Sequence, residues 1–388
     1  MAFLKRSILV LALIGVGAVV AAELILRFFY PQPTQAAVTV VLRNDFTGAD
    51  PKVEYALNEQ SLRVVNWDVG GKEPGARRIL FVGGTSTDAI LHNAEDTWWG
   101  QVWARIQEMT PFEVEAAAYS TGGDMILESA RWCDEYLEKL DVDLLVVNFG
   151  LGDVLNRGTM YRYDPDRFYK IRLDSRSAWK QTMTEWSHLY RFFRNHRNRS
   201  RSAQRQRVLG RENYLAEVFE RRQREYGALP RVDGISRAVQ NDPLLEYLDG
   251  IDKMIELARR TGTQLLVLGE PVLNHALLGP DEVRSLRAPV VTGPMVTSDL
   301  ARPDPAWIDG EVDRFYESGK ARCTEEEVMF YSLNGRIVKS GRYFMDDTML
   351  TLAGGSAVAD KVVPLVNALL TGAPAIEPAP MPEGVGSP

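Results

Sequence analysis

Three short apolar runs, each closed by glycine or a turn, organise the chain. Arg78-Ile-Leu-Phe-Val82 ends in Gly83-Gly84, Asp143-Leu-Leu-Val-Val-Asn-Phe149 ends in Gly150, and Gln264-Leu-Leu-Val-Leu-Gly269 leads into Glu270-Pro271. Runs this short and this apolar predict strands buried on both faces. Val114–Ala118 predicts another strand. Between the runs, apolar residues recur at helical spacing over Trp98–Met109, Ser129–Leu140 and Pro243–Arg260, with a further helix over Gly354–Leu370. Strands alternating with helices at this spacing predict an α/β fold with a parallel sheet covered on both faces.

The flanks pattern differently. Residues 31–77 show no strong period and read as a linker with an extended segment around Ala37–Leu42. The main domain then spans 78–371, with an insertion at about 160–240. That insertion carries Arg191, Arg194, Arg197, Arg199, Arg201, Arg205, Arg207 and Arg211, with no acidic residue before Glu212. Such a run reads as a solvated charged helix, or as a basic patch for anionic lipid headgroups or an acidic partner. The tail, 372–388, is rich in Pro, Ala and Gly and is predicted to be disordered.

The N-terminus sets the compartment. Lys5 and Arg6 precede an uncharged apolar run from Ile8 to Ala22, and the 23 residues from Ile8 to Tyr30 are long enough for a bilayer span. Glu23 and Arg27 stand at i and i+4, placed to pair, and Phe28-Phe-Tyr30 makes an aromatic interface anchor. An uncleaved signal anchor over 1–30 is one reading. A signal peptide cleaved after the small residues Val20-Ala21-Ala22 is the other. Either way the positive-inside rule puts the remainder outside the cytoplasm. In a bacterial cell that means the periplasm or the outer surface, and with the anchor uncleaved a single-pass inner-membrane protein with a periplasmic C-terminal domain.

The net charge of −7 argues against nucleic acid as the main partner. Two cysteines, Cys133 and Cys323, can pair in an oxidising compartment, but their spacing does not decide it. The sequence offers no cluster of Cys, His and carboxylates spaced for a metal, and implies no cofactor.

Four segments, in order, resemble the blocks of the SGNH (GDSL-like) hydrolases and acetyltransferases. Ile79-Leu-Phe-Val-Gly83-Gly84-Thr85-Ser86-Thr87 is similar to the family's strand followed by Gly-Gly-Ser-Thr-Thr, and Asn93-Ala-Glu95-Asp96-Thr97-Trp98 continues the match without a gap. Tyr119-Ser-Thr-Gly122-Gly123-Asp124 is similar to the second block, and Phe149-Gly150-Leu151-Gly152-Asp153 to the third. Phe344-Met-Asp346-Asp347-Thr348-Met349-Leu350-Thr351-Leu-Ala-Gly354 is similar to the last. The resemblance covers about Leu57 to Val366 and implies a flavodoxin-like, three-layer α/β/α sheet.

In that family a serine on the first turn attacks, and the turn amides, a second-block glycine and a third-block asparagine hold the oxyanion. A histidine three residues after an aspartate removes the serine proton. Here the nucleophile position is Thr85, the asparagine is Gly152 and the histidine is Met349, while Gly84, Gly122 or Gly123 and the orienting Asp346 remain. A shifted reading makes Ser86 the nucleophile. Asp153 reads as structural, bonding turn amides.

Met349 is the serious departure, because a thioether accepts no proton at neutral pH and base loss costs on the order of 10⁶ in rate. His92, seven residues past the nucleophile turn, and His275, beyond the fourth predicted strand, are the replacement bases to weigh; Asp346 and Asp347 are weak bases toward a hydroxyl. Three functions follow: a non-catalytic domain binding a glycan or acyl ligand or serving a membrane assembly as a subunit; a serine- or threonine-type esterase or O-acetyltransferase on envelope glycans or lipids; or a structural role resting on the anchor and the arginine run.

Overall fold

The computed structural model describes residues 2–29, 38–43, 48–67, 71–120, 125–155, 161–164, 169–172, 183, 187–194, 196, 214–232, 243–286, 290–292 and 299–373. The strands are β1 Val38–Arg43, β2 Lys52–Leu57, β3 Leu62–Asn66, β4 Arg77–Gly83, β5 Val114–Ser120, β6 Leu144–Phe149, β7 Tyr161–Asp164, β8 Tyr169–Arg172, β9 Arg231–Val232, β10 Gln264–Gly269, β11 Val290–Thr292, β12 Asp299–Pro303 and β13 Met329–Ser332. The helices are α1 Ala2–Phe28, α2 Thr85–Asp88, α3 Trp98–Met109, α4 Ile126–Leu140, α5 Leu151–Val154, α6 Tyr214–Gly227, α7 Pro243–Thr261, α8 Pro280–Ser285, α9 Pro305–Glu325 and α10 Leu352–Thr371.

The main sheet has six strands in the order β13-β10-β6-β4-β5-β3. Its five parallel strands, counted along the chain, run 2-1-3-4-5, which is the flavodoxin-like order. Successive side chains of a strand face opposite ways, and β4 shows the consequence. Leu80 and Val82 enter a core with α4, α7 and α9, while Ile79 and Phe81 enter a second core with α3 and α10. The fold is therefore a three-layer α/β/α sandwich. Threonines start two of its helices: Thr97 accepts the Gly100 amide to start α3, and Thr351 accepts the Gly354 amide to start α10.

The stretch expected to be a linker is structured. Within 38–66 it forms the antiparallel hairpin β1–β2 and then β3, which pairs antiparallel with β5 and extends the main sheet. Its strands are short and interrupted by charge, and one of those charges, Arg63, is buried, so no alternation marks them. The long helix α9 and the edge strand β13 also lie where the sequence pattern had placed no element.

α1 is a continuous helix, and Arg27 donates to Glu23 at 3.2 Å as its spacing suggested. Among the described residues no helix is long and apolar enough to cross a membrane. The Pro-, Ala- and Gly-rich tail from 374 onward lies outside the described residues, as do Arg197, Arg199, Arg201, Arg205, Arg207 and Arg211. Cys133 and Cys323 are both buried and unpaired, and burial pushes the Cys323 thiol up to about 12.

Candidate functional site

The turn that follows β4 brings the backbone to the carboxyl edge of the sheet, where ligands of open α/β sheets gather. Gly83 makes that turn possible. A Cβ on it would fall 2.1 Å from the Thr87 hydroxyl and 2.7 Å from the Asn148 carbonyl, so no larger residue fits. α2 begins directly afterwards and sends its two leading hydroxyls into different surroundings.

Ser86 is 1% exposed and turns inward. Its hydroxyl donates to Glu270 Oε1 at 2.5 Å and accepts from Asn148 Nδ2 at 3.0 Å. Glu270, itself buried, also accepts the Ser86 amide on Oε1 and the Leu151 amide on Oε2, at 3.3 and 3.2 Å. Asn148 Nδ2 reaches Thr87 as well, at 3.2 Å, and Tyr316 donates to the Glu270 carbonyl at 2.8 Å. This network ties the ends of β4, β6 and β10 together. Glu270 stands directly after the fourth predicted strand, yet nothing in the motif blocks assigns it a role. The only available signal was an acidic residue at a strand's carboxyl end.

Thr85 remains partly exposed, and its hydroxyl has no hydrogen-bond partner among the described residues. Gly84 caps α2 with its backbone, Gly152 lies in the first turn of α5, and Gly122 and Gly123 fall outside the described residues. Asp153 is fully buried and accepts the amide of Ile126, the first residue of α4.

The last block closes on itself. Asp346 Oδ1 accepts the amides of Thr348 and Met349, at 3.1 and 2.8 Å, and so shapes the loop. Asp347 accepts from Asn274 at 3.2 Å. Met349 sits in a small apolar cluster with Leu42, Val53 and Leu91, packed by Tyr55 and Ile90. The β1–β2 hairpin supplies two members of that cluster. It is pinned there because the Leu352 amide donates to the Gly48 carbonyl at 2.8 Å, and Gly48, at φ +83°, passes too close to Thr351 for a side chain.

His92 comes near this block. Its Nε2 lies 2.8 Å from the Leu350 carbonyl, an acceptor, so that nitrogen carries the proton. Nδ1 then faces Asp50 Oδ2 at 3.7 Å without a hydrogen bond, and burial lowers the imidazole's proton affinity. Beside it Arg63 reaches the carbonyls of Asp88, Ala89 and His92. Asp88 accepts from Tyr55 at 2.6 Å and from Ser120 at 3.2 Å; burial pushes its carboxyl above the usual range, partly offset by the Tyr55 hydrogen bond and the Arg63 charge. His275 lies elsewhere, in the loop after β10, with Nδ1 accepting the Leu277 amide. Among the described residues no group of three or more His, Cys, Asp or Glu is placed to hold a metal ion.

The first, third and last motif blocks thus come together on the carboxyl side of the sheet, while residues 121–124 of the second lie outside the described residues. No family model and no curated protein matches the sequence. Among solved structures the chain is similar to TesA, at 14% identity and a TM-score of 0.39, over 76% of this chain and 99% of that one. It is also similar to the acetylxylan esterase Axe2 from Geobacillus stearothermophilus, at 10% identity and a TM-score of 0.37, over 73% and 90% of the two chains. A GDSL-like lipase from Bacteroides thetaiotaomicron follows at 11% identity and a TM-score of 0.34, over 76% and 87%. None reaches a TM-score of 0.5, so the fold rests on the strand order of the chain itself.

Proposed function

We propose that this chain is a membrane-anchored, extracytoplasmic SGNH-like domain without hydrolytic activity, acting as a ligand-binding or structural subunit of an envelope assembly. One observation carries the reading: the position of the family's base is Met349, enclosed by Leu42, Val53 and Leu91. A hydroxyl without a base stays protonated and weakly nucleophilic. Thr85 has no such partner among the described residues, and the proton-accepting nitrogen of His92, the nearest substitute in sequence, is Nδ1, which faces Asp50 at 3.7 Å and no hydroxyl. Anchoring is supported by α1, whose Ile14, Val16, Val19, Val20, Leu24 and Phe28 are exposed, and which carries the Glu23–Arg27 pair at its far end.

The competing reading, an esterase or O-acetyltransferase, draws on the contact between Ser86 and Glu270, a hydroxyl beside a carboxyl. Its burial speaks against it, since an acyl group must reach the oxygen that attacks. Hydrolysis of p-nitrophenyl acetate by the full chain, beside Thr85→Ala and Ser86→Ala, decides between them. Rates equal to buffer in all three are expected. Turnover well above buffer that one substitution abolishes overturns the reading and names the nucleophile.

A further inference from the structure

A cleft of about 300 Å³ opens between the loop after β10, α6, α8 and the junction of β12 with α9. That is the lower end of the range for small-molecule sites, about 300–1,000 Å³. None of its walls comes from the motif blocks. One wall is apolar, from Leu278, Val283 and Leu286. The other carries Tyr226, Arg231, His275, Arg302 and Asp304.

The polar wall leaves mainly donors unengaged. Asp304 is fully engaged: Oδ1 accepts the amides of Ala306 and Trp307, capping α9, and Oδ2 takes the Arg231 guanidinium. Arg302 has no ion pair or side-chain hydrogen bond among the described residues, so the wall keeps one uncompensated positive charge. His275 Nδ1 accepts the Leu277 amide at 3.1 Å, which leaves the proton on Nε2. That nitrogen is enclosed and has no acceptor among the described residues. An enclosed donor and an unpaired guanidinium facing apolar residues complement an anion on a hydrophobic body.

We propose that this cleft binds a small amphiphilic anion, an oxyanion head on a short apolar chain, with Arg302 as its charge partner and His275 as a second donor. The apolar wall takes the chain, and the head replaces the missing acceptor. The site is separate from the Thr85 turn, so the esterase assay and this test succeed or fail independently.

Titration calorimetry of the full chain with hexanoate, hexyl phosphate and the neutral control hexanol tests it. At least one anion is expected to saturate one site per chain while hexanol does not, and the tighter head group tells carboxylate from phosphate. Arg302→Ala is expected to weaken that binding at least tenfold, and Arg302→Lys by less. Arg302→Gln carries the same expectation as the alanine variant if the latter does not unfold cooperatively. Saturation by neither anion, hexanol binding as tightly as the anions, or unchanged affinity in a folded Arg302 variant overturns the proposal.

Discussion

Ser86 and Thr85 are neighbours on one turn, yet the regions they border are built in opposite ways. Around Ser86 the contacts are polar and interlocked: Glu270, Asn148 and the amide of Leu151 hold β4, β6 and β10 in register at their carboxyl ends. On the hairpin side Met349 stands where the resemblance implies a histidine, and its neighbours Leu42, Val53 and Leu91 are aliphatic. Polar groups buried on the first side are costly to disturb, because each lost partner leaves another stranded. Apolar groups on the second side are held by contact area alone and tolerate exchange of similar shapes. One turn therefore borders a polar brace on one side and an apolar plug on the other.

The largest effect tests the brace against the plug. Glu270→Ala strands the Ser86 hydroxyl and two amides and is expected to cost at least about 3 kcal/mol by urea unfolding, summing roughly 1 kcal/mol or more for each donor. Met349→Ala removes mainly packing and is expected to cost about 2 kcal/mol, while Met349→Leu costs less than about 1.5. If Met349→Leu proves as damaging as Glu270→Ala, the thioether has a role that packing does not explain.

Next in size is the pair on the turn. Ser86→Ala leaves buried Asn148 and Glu270 short of a partner and should cost about 1–2 kcal/mol, whereas Thr85→Ala should stay within about 0.5 kcal/mol. Thermal unfolding of both variants reads this directly. Equal losses would dissolve the contrast between the two hydroxyls.

His92 gives the smallest and most pH-specific effect. Burial lowers its folded-state pKa, against the pull of Asp50 and the Leu350 carbonyl, with Arg63 reinforcing the shift. The unfolded chain therefore binds the proton more readily. Stability is full above the unfolded value near 6.5 and declines as pH falls from there toward the lowered folded value. The melting temperature of the native chain should drop between pH 7 and pH 5 more than that of His92→Gln. A rise on acidification would mean that Asp50 wins.

The central strands were legible because they are buried on both faces and read as unbroken apolar runs, such as Leu144–Phe149. α3 was legible because Trp98, Trp99, Val102 and Ile106 make one buried stripe. The hairpin and β3 were not. Their cores are single residues such as Leu42 and Val53, and Arg63 is buried where three carbonyls and the Tyr55 ring converge on it. At the site the sequence showed where the chain departs from the motifs it resembles, through Thr85, Gly152 and Met349. It could not show that a distant hairpin surrounds Met349, or that Glu270 meets Ser86 across 184 positions.

β3 has one more consequence. Without it β5 would be the outermost strand, and Ala116-Ala117-Ala118 would present a flat, apolar row of unpaired amides and carbonyls. Such edges recruit other chains. The segment that joins the apolar helix to the sandwich therefore also guards it against self-association. A chain trimmed to begin at Ala76 would keep all five parallel strands and expose that edge, and is expected to associate with other copies.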